Sequence, residues 1–308
     1  ALSEIFVVSG ATGELNFRAE PLAAYLDLLA DNAFGNFRTL LDNVARSPAM
    51  GWFLSHLKNE KEDPVTGRIP DQNFAREVMQ LFTIGLWELN PDGSRRVDSA
   101  GQPIPTYGQA EIAGMSRVFT GLSWAGGWSG PYDFQRLMVH HSAFASTSEK
   151  RIVGGVVIPA NTSGPESFRI ALDTLFNHAN TAPFFAEQMI KRMVTSNPSR
   201  PYVGRVAAAF VNNGAGVRGD MRAVVRAVLM DPEARDPAKM QDPNWGKLRE
   251  PILRFSAWLK AFNATNTINR LSIWGYTDPL PGLAQPPLRQ PSVFNYFRPD
   301  YSPPGVVR

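Results

Sequence analysis

Polar side chains recur at helical spacing in the segment that begins at Asn73. Asn73, Arg76, Glu77 and Gln80 are three or four residues apart, which would place them on one side of a helix. A carboxylate in such a group can act as a general acid or base, and a neighbouring guanidinium can bind an anionic group of a substrate. Glu77 is therefore a candidate catalytic residue, and Asn73 and Arg76 are candidate substrate-binding residues. The alternatives are a solvated stripe and an ion pair that holds helices together.

A second carboxylate, Glu111, lies on the next predicted helix. It is the candidate catalytic partner of Glu77, with Tyr107 and Arg117 beside it as candidate substrate-binding residues. A pair of glycosidase carboxylates depends on their separation, which the sequence leaves open. An unpaired buried carboxylate is costly or stays protonated. We therefore expect Glu77 to be buried and paired with an arginine, with Arg76 and Arg117 as the leading candidates.

Three aromatic residues lie in a glycine-rich loop after this helix. Trp124, Trp128 and Tyr132 are interspersed with the four glycines of positions 121–130. Exposed rings of this kind suit stacking on sugar rings or on a protein partner, and the alternative is that the rings are buried in the core. We treat all three as candidate substrate-binding residues. The GLSWA sequence at 121–125 lacks the last glycine of a nucleophile elbow and follows a helix, so no serine hydrolase is predicted.

Two further motifs lose their usual meaning in context. The GAGVRG sequence at 214–219 matches a dinucleotide fingerprint, but the residues before it recur at helical spacing, whereas that fingerprint must follow a strand. We predict a turn between helices, with Asp220 at the start of the second helix. The four histidines do not form a zinc motif, and the acidic residues near Asp92 do not complete a calcium loop. The sequence thus predicts no metal and no cofactor.

The elements that would position these residues are mainly helical. Proline and polar capping residues stand at the expected helix starts. The only remaining strand is expected at 151–159. We predict helices from Pro21 to Gly35, Asn36 to Arg46, Ser47 to Leu57, Asp71 or Asn73 to Gly85, and over 109–120, 166–178, 181–195, 201–213, 220–230 and 245–263, the last bent or restarted at Pro251.

Two segments interrupt this helical pattern. Turn residues at 91–93 and 100–101 predict a small β-hairpin insertion over 87–107. Prolines are dense between 279 and 308, which predicts an extended arm. Because exposed aromatic side chains are unfavourable in water, we expect this arm to pack along the helices through Phe294, Tyr296, Phe297 and Tyr301.

The composition fits one large globular domain. The chain has 308 residues without a repeat or a linker, so we predict a single helical domain over 1–308. A net charge of +3 and the lack of a basic run argue against nucleic-acid binding. No apolar run reaches the length of a transmembrane helix. The first ten residues read as the end of an apolar helix closed by Gly10, so we expect the chain to be truncated there. Resemblance to a known family implies that it is truncated at its other end as well.

Several phrases identify relatives. The chain resembles the bacterial family catalogued as domain of unknown function 1800 through NFAREVMQLFTIGLWELNPDG, EKRIVGGVVIPANTSG, VNNGAGVRGDMRAVVRAVLMDPEAR and LRQPSVFNYFRPDYSPPG. The resemblance implies a mostly helical, exported bacterial protein, often encoded beside a sulfatase-like protein, without an agreed activity. Many relatives have histidine where this chain has Phe82 and Ala145, so a site that used those histidines would be lost here.

Two hypotheses for function follow. The first is an extracytoplasmic protein that binds or hydrolyses a polysaccharide, as the aromatic loop, the Glu77 helix and the sulfatase-like neighbours of the family suggest. The second is a non-catalytic surface or assembly protein that binds a protein partner, with a sulfatase-like protein as one candidate. In the second case the hairpin, the aromatic loop and the arm would be contact surfaces.

Overall fold

The fold is mainly α, as predicted. A computed structural model describes residues 1–11, 13–267, 282–283 and 285–297. No helix in these ranges is both long and apolar enough to cross a membrane. The α-helices are α1 Leu2–Ile5, α2 Ala19–Asp31, α3 Phe37–Arg46, α4 Pro48–Phe53, α5 Asn73–Glu77, α6 Gln109–Val118, α7 Gly164–Asn177, α8 Thr181–Met193, α9 Arg200–Val211, α10 Met221–Met230, α11 Pro232–Arg235 and α12 Pro251–Ala261.

Local capping explains why several helices begin where the sequence predicts. The side chain of Asn36 accepts the backbone N–H of Arg38 at 2.9 Å at the start of α3. Ser199 accepts the N–H of Tyr202 at 3.2 Å at the start of α9. Each cap satisfies a backbone donor that the first turn of a helix leaves unpaired, which is worth roughly 1 kcal/mol.

Aromatic rings fill the core between α3, α7, α8 and α9. The Phe37 ring is fully buried, and its centroid lies 4.5 Å from that of Phe185 and 5.2 Å from that of Phe210. Phe6 closes the cluster at 6.3 Å from Phe37. Tilted and edge-on pairs at these distances are the favourable arrangements for aromatic rings. Phe82, five residues after Glu77 in the chain, packs on this cluster with its ring centroid 5.3 Å from that of Phe6.

The hairpin insertion is confirmed. Antiparallel bridges join Trp87 to Pro105 and Leu89 to Arg95. The Glu88 N–H donates to the Ile104 carbonyl at 2.8 Å. The insertion is attached to α8 through Asn180, whose amide oxygen accepts the N–H of Leu89 at 2.9 Å and whose amide nitrogen donates to the Trp87 carbonyl at 2.8 Å.

The strand predicted at 151–159 is correct only at its ends. Strand β3, Lys150–Arg151, pairs antiparallel with β4, Val157–Ile158. The chain reverses between them through a 3₁₀ turn at Val153–Gly155. Gly154 and Gly155 have φ of 70° and 71°, a conformation that a continuous strand cannot contain. A second small sheet pairs β1, Leu122–Ser123, with β2, Val139–His140, which the sequence did not predict.

The helix predicted to end at Gly85 changes type in its middle. After α5 the chain continues as a π-helix, Val78–Thr83. The N–H groups of both Ile84 and Gly85 donate to the Met79 carbonyl, at 3.0 and 2.9 Å. Gly85 ends the helix with φ 70°, as the sequence predicts. A π-turn is uncommon and occurs frequently at functional sites, and here it directly follows Glu77.

The GAGVRG segment is a turn, as predicted. The Asn212 side-chain oxygen accepts the N–H groups of Gly214 and Gly216, at 2.8 and 2.9 Å. Asp220 caps α10 by accepting the Ala223 N–H at 3.1 Å. A phosphate would need free backbone N–H groups at the helix N-terminus, and here those donors already have partners. The dinucleotide interpretation is therefore excluded by the hydrogen bonding.

Helix α12 starts at Pro251, where the sequence predicted a bend or a restart, and only the helix predicted over 245–250 is wrong. Gly246 has φ 98°, which no helix interior contains. Its carbonyl accepts the Ser196 N–H at 2.9 Å, so a tertiary contact keeps this segment out of a helix.

Over its described residues the arm contacts the N-terminal segment and, through Phe297, helix α8. The packing predicted for its aromatic side chains is partial, since Phe294 and Phe297 are each 40% exposed. The N–H of Gly10 donates to the Leu288 carbonyl at 2.9 Å. The prediction that Gly10 closes the first helix is wrong, because α1 ends at Ile5. The Arg192 guanidinium lies 3.8 Å from the ring centroid of Phe297. Residues 279–281, 284 and 298–308, with Tyr301, are outside the described residues.

Candidate functional site

Glu77 is the last residue of α5 and stands immediately before the π-helix. Its side chain is buried, with 6% of the residue exposed, and Oε2 has no hydrogen-bond partner among the described residues. Burial raises the pKa of Glu77 to about 6, while the charge of Arg76 opposes this rise. Such a carboxyl group populates both protonation states near neutral pH, which is what acid–base catalysis requires.

Tyr107 belongs to the same environment. Burial raises the pKa of Tyr107 to about 12, the negative charge of Glu77 adds to this rise, and the charge of Arg76 opposes it. The Tyr107 hydroxyl is buried and has no hydrogen-bond partner within the described ranges. Glu77, Tyr107 and Arg76 therefore form one electrostatically coupled set, which we call the Glu77 group.

The predicted burial of Glu77 is confirmed, but its predicted ion pair is wrong. Among the described residues, no arginine or lysine forms a salt bridge with Glu77. Arg117 instead places Nε 3.7 Å from a carboxylate oxygen of Glu62. Arg76 is exposed, because consecutive helical residues point about 100° apart and the buried face is taken by Glu77.

The other polar candidates have local partners. Oε2 of Glu111 accepts the N–H of Gly108 at 2.8 Å and so caps the start of α6. The amide of Asn73 donates to the Ser55 hydroxyl at 3.4 Å. Helices α5 and α6 pack together, yet no described hydrogen bond joins Glu77 to either residue.

The aromatic loop forms a cluster with a residue of α4. Trp124 lies with its ring centroid 5.8 Å from Trp52, 5.0 Å from Tyr132 and 5.3 Å from Phe134. We call these four residues the aromatic cluster. The Arg18 guanidinium carbon lies 5.6 Å from the Tyr132 centroid, in range for a cation–π contact.

Exposure separates the three aromatic candidates. Trp124 is buried, with 1% exposed, whereas Tyr132 is 57% exposed. Trp128 is half-buried and stacks on Phe144 at 3.8 Å, outside the cluster. A ligand can therefore stack on Tyr132, whose ring packs against the buried Trp124.

A cleft of about 530 Å³ adjoins the aromatic cluster through Phe134. We call it the α2 cleft. Three carboxylates of α2 lie along it, at Glu20, Asp27 and Asp31. Its lining contains no lysine, arginine or histidine. The lining residues are Glu20, Ala23, Ala24, Asp27, Leu28, Asp31, Asn32, Asn43, Ser47, Pro48, Phe134, Gln135 and Leu137.

Sequence reasoning missed the α2 cleft, although a signal was present. Glu20, Asp27 and Asp31 are seven and four residues apart, which places them on one helix face. Acidic residues at this spacing also occur on ordinary solvent-exposed helix faces. The sequence alone therefore does not show that a loop packs opposite them and forms a cleft. The loop that contributes Phe134 and Gln135 is more than one hundred residues away in sequence.

One family model matches the whole chain. The sequence profile described as "Protein of unknown function (DUF1800)" matches residues 1–308. The chain belongs to the DUF1800 family. Neither the curated proteins nor the solved structures gave a match to this DUF1800 protein.

Phe82 and Ala145, the two positions at which the family resemblance implies histidine, are both buried. The Phe82 ring is fully buried, 5.3 Å from Phe6 and 6.4 Å from Phe74. Ala145 is 5% exposed and lies against Gly121, where an added Cβ would be 2.9 Å from its own. Neither side chain can ionise, so both residues contribute to the packing of the core and not to acid–base chemistry. Within the described residues, no three histidine or acidic side chains gather as metal ligands would.

Proposed function

We propose that this DUF1800 protein binds a polysaccharide outside the cytoplasm, in the α2 cleft beside the aromatic cluster. One observation carries the proposal: the aromatic cluster has an exposed ring, Tyr132, and another of its members, Phe134, lines an open cleft that carries carboxylates and amides. The extracytoplasmic location rests on the resemblance to exported relatives.

The chemistry of the cleft supports a sugar ligand. The face of a sugar ring is apolar and stacks on an aromatic ring, while its hydroxyl groups need hydrogen-bond acceptors around the edge. Tyr132 offers the ring. Glu20, Asp27 and Gln135 offer the acceptors, and Ala23 and Leu28 provide an apolar surface between them. A site of this size accommodates a few sugar units.

Replacing Tyr132 with alanine is expected to weaken binding of the preferred polysaccharide roughly tenfold, since an aromatic stacking contact is worth about 0.5–1.5 kcal/mol beyond the area it buries. Affinity electrophoresis with neutral, cationic and acidic polysaccharides measures the effect. Trp258→Ala is the matched control, because Trp258 is equally exposed at 57% but lies on α12. Failure of every polysaccharide to bind, or equal losses in both variants, would contradict the proposal. A co-purifying protein without glycan binding would favour an assembly role.

Hydrolysis of a polysaccharide at the Glu77 group, which lies outside the lining of the α2 cleft, is a second candidate function. A buried, unpaired carboxyl group with a pKa of about 6 is suited to donate a proton to a leaving group. Release of new reducing ends during incubation separates hydrolysis from binding alone.

A further inference from the structure

The carboxylates of the α2 cleft have no basic partner. Glu20, Asp27 and Asp31 all line the cleft, and among the described residues none of them forms a salt bridge or a side-chain hydrogen bond. Helix α2 itself contains no lysine and no arginine, and the lining of the cleft adds none. The negative charge of α2 is therefore compensated neither along the helix nor across the cleft.

The basic residues that flank the lining in sequence have other partners. They are Arg18, Arg46 and Arg136, and they form ion pairs with Glu14, Asp42 and Asp133 respectively. None of the three arginines lines the cleft. A cationic ligand in the cleft would thus meet free carboxylates and would not have to displace an existing ion pair.

Two of these carboxylates are unfavourable for the helix that carries them. Asp31 is the last residue of α2, and the last turn has no basic residue. The negative end of the helix dipole disfavours a carboxylate there and favours a cation. Asp27 is four residues before Asp31, and like charges at this spacing repel each other. Helix stability therefore does not explain these two residues, whereas a bound cation would.

A buried hydroxyl group in the cleft also lacks a partner. Ser47 lines the cleft and is only 3% exposed. It occupies the N-cap position of α4, yet its side chain does not cap that helix, and it forms no other hydrogen bond to the described residues. Buried hydroxyl groups normally have hydrogen-bond partners. The Ser47 hydroxyl is therefore available to a ligand that enters the cleft.

The spacing of the carboxylates fits a polymer with several positive charges. From the helical rise, Glu20 and Asp27 are about 10 Å apart along the axis of α2, and Asp27 and Asp31 about 6 Å. A single metal ion needs its ligands gathered around it. Within the described residues no three acidic or histidine side chains gather in this way. Positive charges at intervals along one chain would instead each meet a carboxylate.

We propose that the polysaccharide bound in the α2 cleft carries protonated amino groups, as amino sugars without N-acetyl groups do. This inference rests on the proposed function and adds the charge of the ligand to it. Each ammonium group would donate charge-assisted hydrogen bonds to a carboxylate of α2. The Ser47 hydroxyl would bind a sugar hydroxyl, and a ring of the sugar would stack on Tyr132. An acidic or sulfated polysaccharide would be repelled by the same carboxylates.

The first test compares a glucosamine hexasaccharide with its fully N-acetylated counterpart by calorimetry at mildly acidic pH. The free amine form is expected to bind roughly tenfold more tightly, because three exposed ion pairs each contribute a small factor. This advantage should shrink as salt is added. Because the whole chain has a net charge of +3, nonspecific attraction of a cationic polymer is not expected.

The outcomes separate this inference from the proposed function. Equal or tighter binding of the N-acetylated chain would overturn the inference and leave polysaccharide binding intact. Binding of only a neutral or acidic polysaccharide would do the same. If no polysaccharide bound at all, both the inference and the proposed function would fail.

The second test locates the charge contact with paired variants. Asp31→Asn keeps the shape of the side chain and is expected to weaken binding of the glucosamine hexasaccharide roughly three- to fivefold. Its melting temperature should be unchanged or slightly higher, because a charge opposed by the helix dipole is removed. Glu149→Gln is the control, since Glu149 is an exposed carboxylate that does not line the cleft. Equal affinities of the two variants for the hexasaccharide would overturn the proposed contact.

Discussion

Replacing Gly114 with alanine is expected to destabilise the protein by about 3 kcal/mol or more, at or beyond the upper end of ordinary overpacking. Gly114 lies in α6, where the helix rests on the backbone of β3. A Cβ at this position would be 1.7 Å from the carbonyl oxygen of Arg151. Because that neighbour is backbone, no side-chain rotation relieves the clash. Urea unfolding of the variant and the parent measures the difference.

Gly204→Ala is the matched control, since Gly204 is also a helical glycine, in α9. Its added Cβ would meet only ordinary contacts, the nearest being Asp92 at 3.7 Å. This substitution is expected to be neutral or to stabilise by up to about 1 kcal/mol, because alanine is the better helix former. A Gly114→Ala variant as stable as Gly204→Ala would show that α6 does not lie this close to β3. Since α6 also packs on α5, the test bears on the frame that holds Glu77.

The parts of the fold that the sequence predicted are those with local causes. Helices α3 and α10 begin directly after Asn36 and Asp220 because each of these residues caps the first turn that follows it. The GAGVRG turn was predictable for a similar reason, as the helical spacing before it contradicted a strand. In contrast, residues 245–250 were mispredicted because the contact between Gly246 and Ser196 is made across the fold. The π-helix was not predicted, because six residues are too few for its spacing of apolar residues to differ from that of an α-helix.

The candidate site shows the same division. Its residue types were visible in the sequence, and the burial of Glu77 was predicted, although together with an ion pair that the described residues do not form. The partner of Arg117 was not predictable, because Glu62 reaches it from a loop more than fifty residues away in sequence. Spacing likewise could not separate the exposed Tyr132 from the buried Trp124, since both lie in one loop. Exposure is decided by the full set of neighbours of each ring, and Trp124 lies among Trp52, Tyr132 and Phe134.

Replacing Glu77 with glutamine is expected to stabilise the protein at pH 8 relative to its parent, and to have less effect at pH 4.5. The pKa of Glu77 is raised from 4.5 to about 6. The protonated carboxyl is thus favoured by folding, and this stabilisation is fully present below pH 4.5 and lost as the pH rises through 6. The shift corresponds to about 2 kcal/mol. The stability difference between variant and parent should grow by about that amount between pH 4.5 and 8, measured by urea unfolding.

Glu62→Gln provides a control of opposite sign. Burial acts to raise the pKa of Glu62, but hydrogen bonds from Ser148 and Ser146 and the charge of Arg117 outweigh it and lower the pKa. The Glu62 carboxylate therefore stabilises the fold at neutral pH, and its contribution is lost as the pH falls through the lowered pKa. Relative to the parent, Glu62→Gln should become less stable as the pH rises. If the stability of both variants relative to the parent changed in the same direction with pH, the environment assigned to Glu77 would be contradicted.

The same Glu77→Gln variant separates a catalytic role from a structural one. If the protein hydrolyses its polysaccharide with Glu77 as the proton donor, the release of reducing ends should fall about 10²–10⁴-fold in the variant. The parent's activity should also decline as the pH rises through 6, where the carboxyl loses its proton. Binding to Tyr132 and the α2 cleft should remain, because Glu77 does not line that cleft. If the variant shows the pH-dependent gain in stability but hydrolyses the polysaccharide as fast as the parent, Glu77 is not part of the mechanism. Glu77 is then only a buried, unpaired carboxyl group of the fold.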